Sequence, residues 1–199
     1  KQLAAVGVTF LFLMYLRKKL RELNKFKEIK EPNLLSYLDL VALGTVCDVV
    51  ELKKYNRLFV KKGLELIHKR YHRGIAKLID NSNIASSPTS QDLGFVIGPQ
   101  INAASRIDDS SLASRLLLTN DNEQIDSISR KLFLLNEKRK LIESQILDDA
   151  INQAADQKNS NFILVFGNNW HQGVLGIIAS KIKDIYYKPT IVISFLNNI

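Results

Sequence analysis

The chain has 199 residues, 46% hydrophobic and 24% charged, a globular composition that excludes disorder and allows one large domain or parts of two. Lys and Arg outnumber Asp and Glu by 28 to 20, for a net charge of +8 and a pI near 9.5, a balance that favours polyanionic partners. The lone cysteine, Cys47, excludes an internal disulfide, fits a reducing cytoplasm and, inside an apolar run, reads as a buried inert thiol. A start at Lys1 and an apolar stop at Ile199 read as a piece of something longer.

In chain order, Ala4 to Leu23 predicts a helix buried along most of its length that emerges at Arg17, Lys18 and Lys19. Its apolar stretch, Ala4 to Leu16, is shorter than the roughly 20 residues a membrane span needs and carries no small-residue cleavage site. Leu34 to Leu43 predicts a second helix, ended by Gly44. Asn56 to Tyr71 predicts a third, with Leu58, Val60, Leu64 and Ile67 facing inward. Gly74 to Asp80 is a fourth, Asn81 to Ser90 a loop, and Gly98-Pro99 a turn after Gln91 to Ile97. Ser111 to Leu118 is another short helix.

From Asp121 the pattern changes. Asp121 and Gln124 resemble a capping box, and Ile125, Ile128, Leu132, Leu135, Ile142, Ile146 and Ala150 recur at helical steps up to about Asp156. One amphipathic helix of more than about 30 residues is expected, a length suited to bridging two domains. Beyond it, a strand at Phe162 to Phe166, a loop at Gly167 to Gly173, a helix at Val174 to Ile185 and a strand at Thr190 to Phe195 predict a parallel βαβ unit with a right-handed crossover.

Three segments bear on chemistry. Leu38 to Val50 reads LDLVALGTVCDVV, Ile97 to Arg106 reads IGPQINAASR, and Gly167 to Ile177 reads GNNWHQGVLGI. In this order, with Asn136-Glu137-Lys138-Arg139 between the last two, they resemble the RecJ-like exonucleases of the DHH phosphoesterase family, and the resemblance covers nearly the whole chain. It implies an α/β fold: the helical C-terminal part of a DHH phosphoesterase domain over 1–120, a long connecting helix over 121–157, and the start of a second, DHH-associated nucleic-acid-binding domain with its βαβ unit over 158–199. The implied activity is single-strand-specific 5′-to-3′ DNA exonucleolysis in recombination and repair by two-metal phosphodiester hydrolysis, with Mn²⁺ or Mg²⁺ as cofactor. The implied partners are single-stranded DNA, a single-strand-binding protein and a helicase, in the cytoplasm and without a membrane. The family's paired histidines and earlier aspartates do not occur in this chain, so the chain alone is expected to be inactive.

By the same resemblance Asp48 is the catalytic and metal-ligating residue, because hard divalent cations prefer carboxylate oxygen. The bland alternative is a turn cap. Asp39, within the apolar helix, is the rival carboxylate and reads as structural. Asn102 and Arg106 are assigned to substrate binding, Arg for its planar fork that grips phosphate, against an alternative in which Arg106 pairs with Asp108 or Asp109. Gln100 and Ser105 depart from the Arg and Gly usual at those positions. Trp170, His171, Gly173, Ser180 and Lys181 complete the substrate-binding set, the helix that opens near Gly173 offering an anion site, although a lone Trp also suits a core. His68 and His72 have a metal-pair spacing but lie among Lys69, Arg70 and Arg73, so they read as surface residues. Two other readings stay open: a non-catalytic single-strand-binding module, and a DHH phosphodiesterase acting on short oligonucleotides or cyclic dinucleotides.

Overall fold

The computed structural model describes residues 2–84 and 87–196. They form two compact units that interleave along the sequence. One comprises the chain up to Pro99 together with Ser114–Arg130; the other comprises Gln100–Ala113 and the chain from Lys131 onward.

The first unit opens with α1 (Ala5–Glu22), a 3₁₀ turn (Leu34–Tyr37) and α2 (Leu38–Cys47), followed by α3 (Lys54–His68) and α4 (Arg73–Asn81). Phe10, Leu34, Leu38, Val41 and Phe59 make a core cluster on which α1 rests. The expectation of a largely buried α1 is overturned. Only Gly7 and Phe10 of that helix are buried, while Phe12 is 60% exposed and Leu11, Leu13, Met14 and Leu16 are also open. As far as Leu16 the helix is apolar on nearly every side, and only one side of it meets the cluster.

Nor does Gly44 end α2, which runs on to Cys47. A Cβ at Gly44 would lie 3.0 Å from Val6 Cγ1, so this glycine serves the approach of α1. Gly63 serves α3 in the same way, since a Cβ there would run into the Leu38 carbonyl and Ala42. The inward face of α3 is accordingly Asn56, Phe59, Val60, Gly63 and Ile67, and Leu58, expected inside, is half exposed. A left-handed Arg70 (φ 57°) turns the chain into α4.

The loop expected over Asn81 to Ser90 includes residues 85 and 86, which lie outside the described residues. The Gly98-Pro99 turn is also corrected. Helix is continuous there, from α5 (Ser90–Asp92) through a π-helical segment (Leu93–Ile97) to α6 (Gly98–Ile107). Proline has no N–H and its ring collides with the carbonyl four residues back, and a wider π turn just before it relieves both problems. Next, α7 (Ser111–Leu118) matches its expected span.

The 34-residue α8 (Asn122–Ala155) is about 50 Å long at 1.5 Å per residue. Asp121 Oδ1 accepts from the backbone N–H groups of Glu123 (2.9 Å) and Gln124 (3.5 Å), while Gln124 Nε2 donates back to Asp121 Oδ2. In the second unit, β1 (Ile163–Asn168), α9 (Gln172–Tyr186) and β2 (Thr190–Phe195) complete the chain. The strands pair in parallel from Ile163 opposite Thr190 to Asn168 opposite Phe195, as the strand–helix–strand pattern predicts. Ile163 and Val165 pack with Ile146, Ala150 and Ala154 of α8 and Val174, Ile178 and Ile182 of α9.

The other edge of β1 is closed by side chains. Gln153 exchanges two hydrogen bonds with the backbone of Phe166, and Gln157 does the same with Leu164, at 2.8 to 3.0 Å. These two amides stand in for a neighbouring strand. Among the described residues no helix is long and apolar enough to cross a membrane.

Candidate functional site

Asp48 lies at the C-cap of α2, where its backbone N–H donates to the Gly44 carbonyl (3.0 Å). The cap is a main-chain affair. The exposed carboxylate makes no hydrogen bond or ion pair with the described residues, so the side chain is not spent on closing a turn. It sits at the carbonyl end of a helix, whose partial negative charge repels a carboxylate and attracts a cation. Val49 follows with φ 54°, a left-handed backbone that a β-branched residue rarely adopts.

Hard oxygen donors with nothing else bound to them suit Mn²⁺ or Mg²⁺. One carboxylate is a ligand and not a site, and no group of three or more His, Cys, Asp or Glu side chains able to hold a metal occurs among the described residues. Asp39 is placed differently. It is fully buried, its Oδ1 accepts from the Leu40 N–H at 2.7 Å, and its Oδ2 has no partner. Burial raises its pKa above the ordinary carboxylate range, against smaller opposing contributions from the Leu40 N–H and the His72 charge.

In the second unit two of the three segments meet. Arg106, exposed near the C-terminal end of α6, donates from Nη1 to the Gly173 carbonyl (3.0 Å). Gly173 has to be glycine here, because a Cβ would enter the Arg106 backbone carbonyl. The alternative in which Arg106 pairs with Asp108 or Asp109 is not what forms. Asp108 takes Lys131 at 3.1 Å, and Asp109 caps Ser111. Asn102 is exposed one turn before Arg106 on the same helix.

His171 is the N-cap of α9, its Nδ1 accepting from the Gly173 N–H at 3.1 Å. An accepting Nδ1 carries no proton, so the ring proton sits on Nε2. Trp170 is 8% exposed within the core cluster, and a Cβ on Gly167 would collide with its indole. Its carbonyl accepts from Ser194 Oγ at 2.7 Å. The indole therefore packs and offers no open face to a base.

Ser180 is exposed. Lys181 is ion-paired with Glu143 at 2.6 Å. Glu143 also takes Arg139 (2.5 Å), which donates from Nε to the buried Asn136, so a chain of polar groups ties α8 to α9. Sequence reading singled out Asn136 and Arg139 but not Glu143; spacing i, i+3, i+7 on one helix face was the available signal. Gln100, expected to alter the charge near substrate, is 2% exposed. Ser105 keeps ordinary helical backbone, so the concern over a left-handed conformation does not arise.

His68 and His72 do not form a pair. His68 ends α3 with its Nδ1 at 2.9 Å from Ser87 Oγ. His72 precedes α4, and its Nε2 donates to the Leu117 carbonyl at 2.8 Å.

No family model matches the chain. Over 200 residues it is 43% identical to the single-stranded-DNA-specific exonuclease RecJ of Dickeya dadantii, covering 96% of this chain and 35% of that protein. It is likewise 43% identical over 199 residues to RecJ of Haemophilus influenzae, covering 96% and 34%. Its fold matches the crystal structure of RecJ in complex with Mn²⁺ from Thermus thermophilus with a TM-score of 0.76 at 32% identity, over 85% of this chain and 26% of that one. Fold and sequence thus define a RecJ-like α/β segment. The chain is similar to RecJ exonucleases along nearly all of its length, and it spans about a third of the length of the relatives it matches.

Proposed function

We infer that this chain is part of a single-stranded-DNA-specific 5′-to-3′ exonuclease acting in recombination and repair. The observation that carries the reading is 43% identity along 96% of the chain to RecJ exonucleases. A non-catalytic binding module or a phosphodiesterase for short substrates has no comparable support.

In this reading Asp48 contributes one carboxylate to a two-metal centre, and the remaining ligands come from RecJ sequence that this chain does not span. Bound Mn²⁺ or Mg²⁺ would supply Lewis acidity toward the phosphodiester. The Arg106 guanidinium keeps N–H donors beyond the one given to Gly173, and they grip backbone phosphate. Asn102 adds an amide donor beside it. His171 presents its Nε2–H at the α9 N-terminus, whose backbone dipole also favours an anion. Gly173 fixes the approach of α9 to Arg106, Trp170 holds the preceding loop, and Ser180 and Lys181 lie further along α9 as outer phosphate contacts. Single-stranded DNA is the partner, with a single-strand-binding protein and a helicase as accessory partners in the cytoplasm.

Asp48→Asn in the intact exonuclease carrying this segment tests the reading. Digestion of a 5′-phosphorylated oligonucleotide with Mn²⁺ is expected to fall by about 10³-fold or more, on the scale of losing a reaction-specific electrostatic group. The unfolding midpoint should stay within about 0.5 kcal/mol, because the side chain is exposed and unpaired. Undiminished digestion by the variant would overturn the ligand assignment.

A further inference from the structure

An apolar cavity of about 370 Å³ opens beside the candidate metal ligand. Cys47 and Val49, the residues flanking Asp48, both line it, with Val46, Val50, Leu52 and Phe95 as further apolar lining. Phe95 is 79% exposed, yet its helical neighbours Leu93 and Ile97 are fully buried. It occupies the middle of the π-helical segment, which Cys47 Sγ holds by donating to the Leu93 carbonyl at 3.8 Å. Gly94 adds no side chain to fill the space; a Cβ there would already press on Val46 at 3.3 Å. A large aromatic ring is thus held outward by buried anchors on both sides, next to the residue assigned to metal binding.

We propose that the Phe95 ring and the cavity behind it are a stacking site for the nucleobase of the nucleotide whose phosphodiester is cut. This deepens the exonuclease reading and rests on it. A base hangs one sugar away from its phosphate, so a phosphate brought to metal at Asp48 carries its base into this neighbourhood. Stacking on an aromatic face suits all four bases, as an exonuclease that proceeds through any sequence requires. The walls are aliphatic, and only Ser90 and Gln91 add polar side chains to the lining. Such a lining accepts the flat apolar face of a base without reading its edge.

The test uses the intact exonuclease and two 5′-phosphorylated oligonucleotides, one with an ordinary 5′-terminal base and one with an abasic tetrahydrofuran there. Wild-type enzyme is expected to prefer the base-bearing substrate by roughly 10-fold in kcat/KM, the scale of one stacked base. Phe95→Ala should abolish that preference mainly through KM, leave the abasic substrate unaffected and leave the unfolding midpoint unchanged, while Phe95→Trp retains the preference. Equal treatment of both substrates by the wild type would overturn the stacking site while leaving the exonuclease reading intact. A Phe95→Ala loss that is the same on both substrates and accompanied by a lowered midpoint would do so too, by showing that Phe95 is covered by protein. Failure of the wild type to digest either substrate would overturn the exonuclease reading itself.

Discussion

At the scale of single residues, Asp39 and Asp48 divide the work of two carboxylates on one helix through their surroundings. Asp48 is open to solvent and unengaged; Asp39 is sealed in, with one oxygen unsatisfied and its pKa raised by burial. A carboxyl group whose folded pKa lies above its unfolded value holds its proton more tightly in the fold. Its contribution to stability is therefore present below the ordinary range near about 4 and is lost as pH rises through the raised folded value. Asp39→Asn is expected to raise the unfolding temperature at neutral pH, with the gain shrinking as pH is lowered and vanishing below pH ~4. Melting curves of both proteins across that window check it; a gain independent of pH would mean that the carboxyl is not the cause.

The place of His171 ahead of α9 was legible because a short motif carried it. For Trp170 the motif left packing and base contact open, since it names a residue without saying which way its ring turns, and the ring packs in the core. Phe95 had no signal at all: its exposure depends on a π turn that periodicity does not reveal.

At the scale of elements, the polar chain from Asn136 through Arg139 and Glu143 to Lys181 joins α8 to α9 across an otherwise apolar contact. The side chains of Arg139 and Glu143 are only 12% and 9% exposed, so removing Arg139 leaves the buried Glu143 with Lys181 as its remaining cationic partner. Arg139→Ala is expected to cost about 1–3 kcal/mol, the scale of a charge-assisted hydrogen bond, and replacing both Arg139 and Glu143 by Met to recover part of that loss. Urea unfolding of the single and double variants measures the difference; an equal loss in both would show that packing matters there and charge does not.

Long periodic elements such as α8 were readable within a residue or two, because burial of Ile125, Leu132, Ile146 and Ala150 is what periodicity encodes. Breaker residues misled. Gly44 and Gly98-Pro99 look like stops, yet the first is needed for close packing against Val6 and the second is absorbed by a wider turn. Apolar content misled at α1 as well, since the stretch up to Leu16 is apolar on nearly every face and does not say which face is covered.

At the scale of the whole molecule, the two units interleave along the sequence because Gln100–Ala113 packs with residues far along the chain. A reading made in sequence order divides a chain into successive stretches, whereas compactness depends on distant partners such as Arg106 and Gly173. The excess of 28 basic over 20 acidic residues belongs to this scale too. The 199-residue chain by itself is expected to bind single-stranded oligonucleotide with an affinity that falls steeply as salt rises, and to leave it undigested in Mn²⁺. A salt titration followed by gel analysis tests both, and digestion would mean that this chain assembles a complete metal centre.

The paired amides of Gln153 and Gln157 have a consequence for biosynthesis. Parallel β2 cannot reach β1 until the intervening α9 has been made, and Thr190 follows its partner Ile163 by a delay of roughly one to five seconds at about 5–20 residues per second. Throughout that wait β1 would be a naked ribbon, able to zip onto the same ribbon of a neighbouring nascent polypeptide. Because α8 is synthesised first, its two glutamines can already clasp one side of β1 as it leaves the ribosome, so that the only side still open is the one β2 will take.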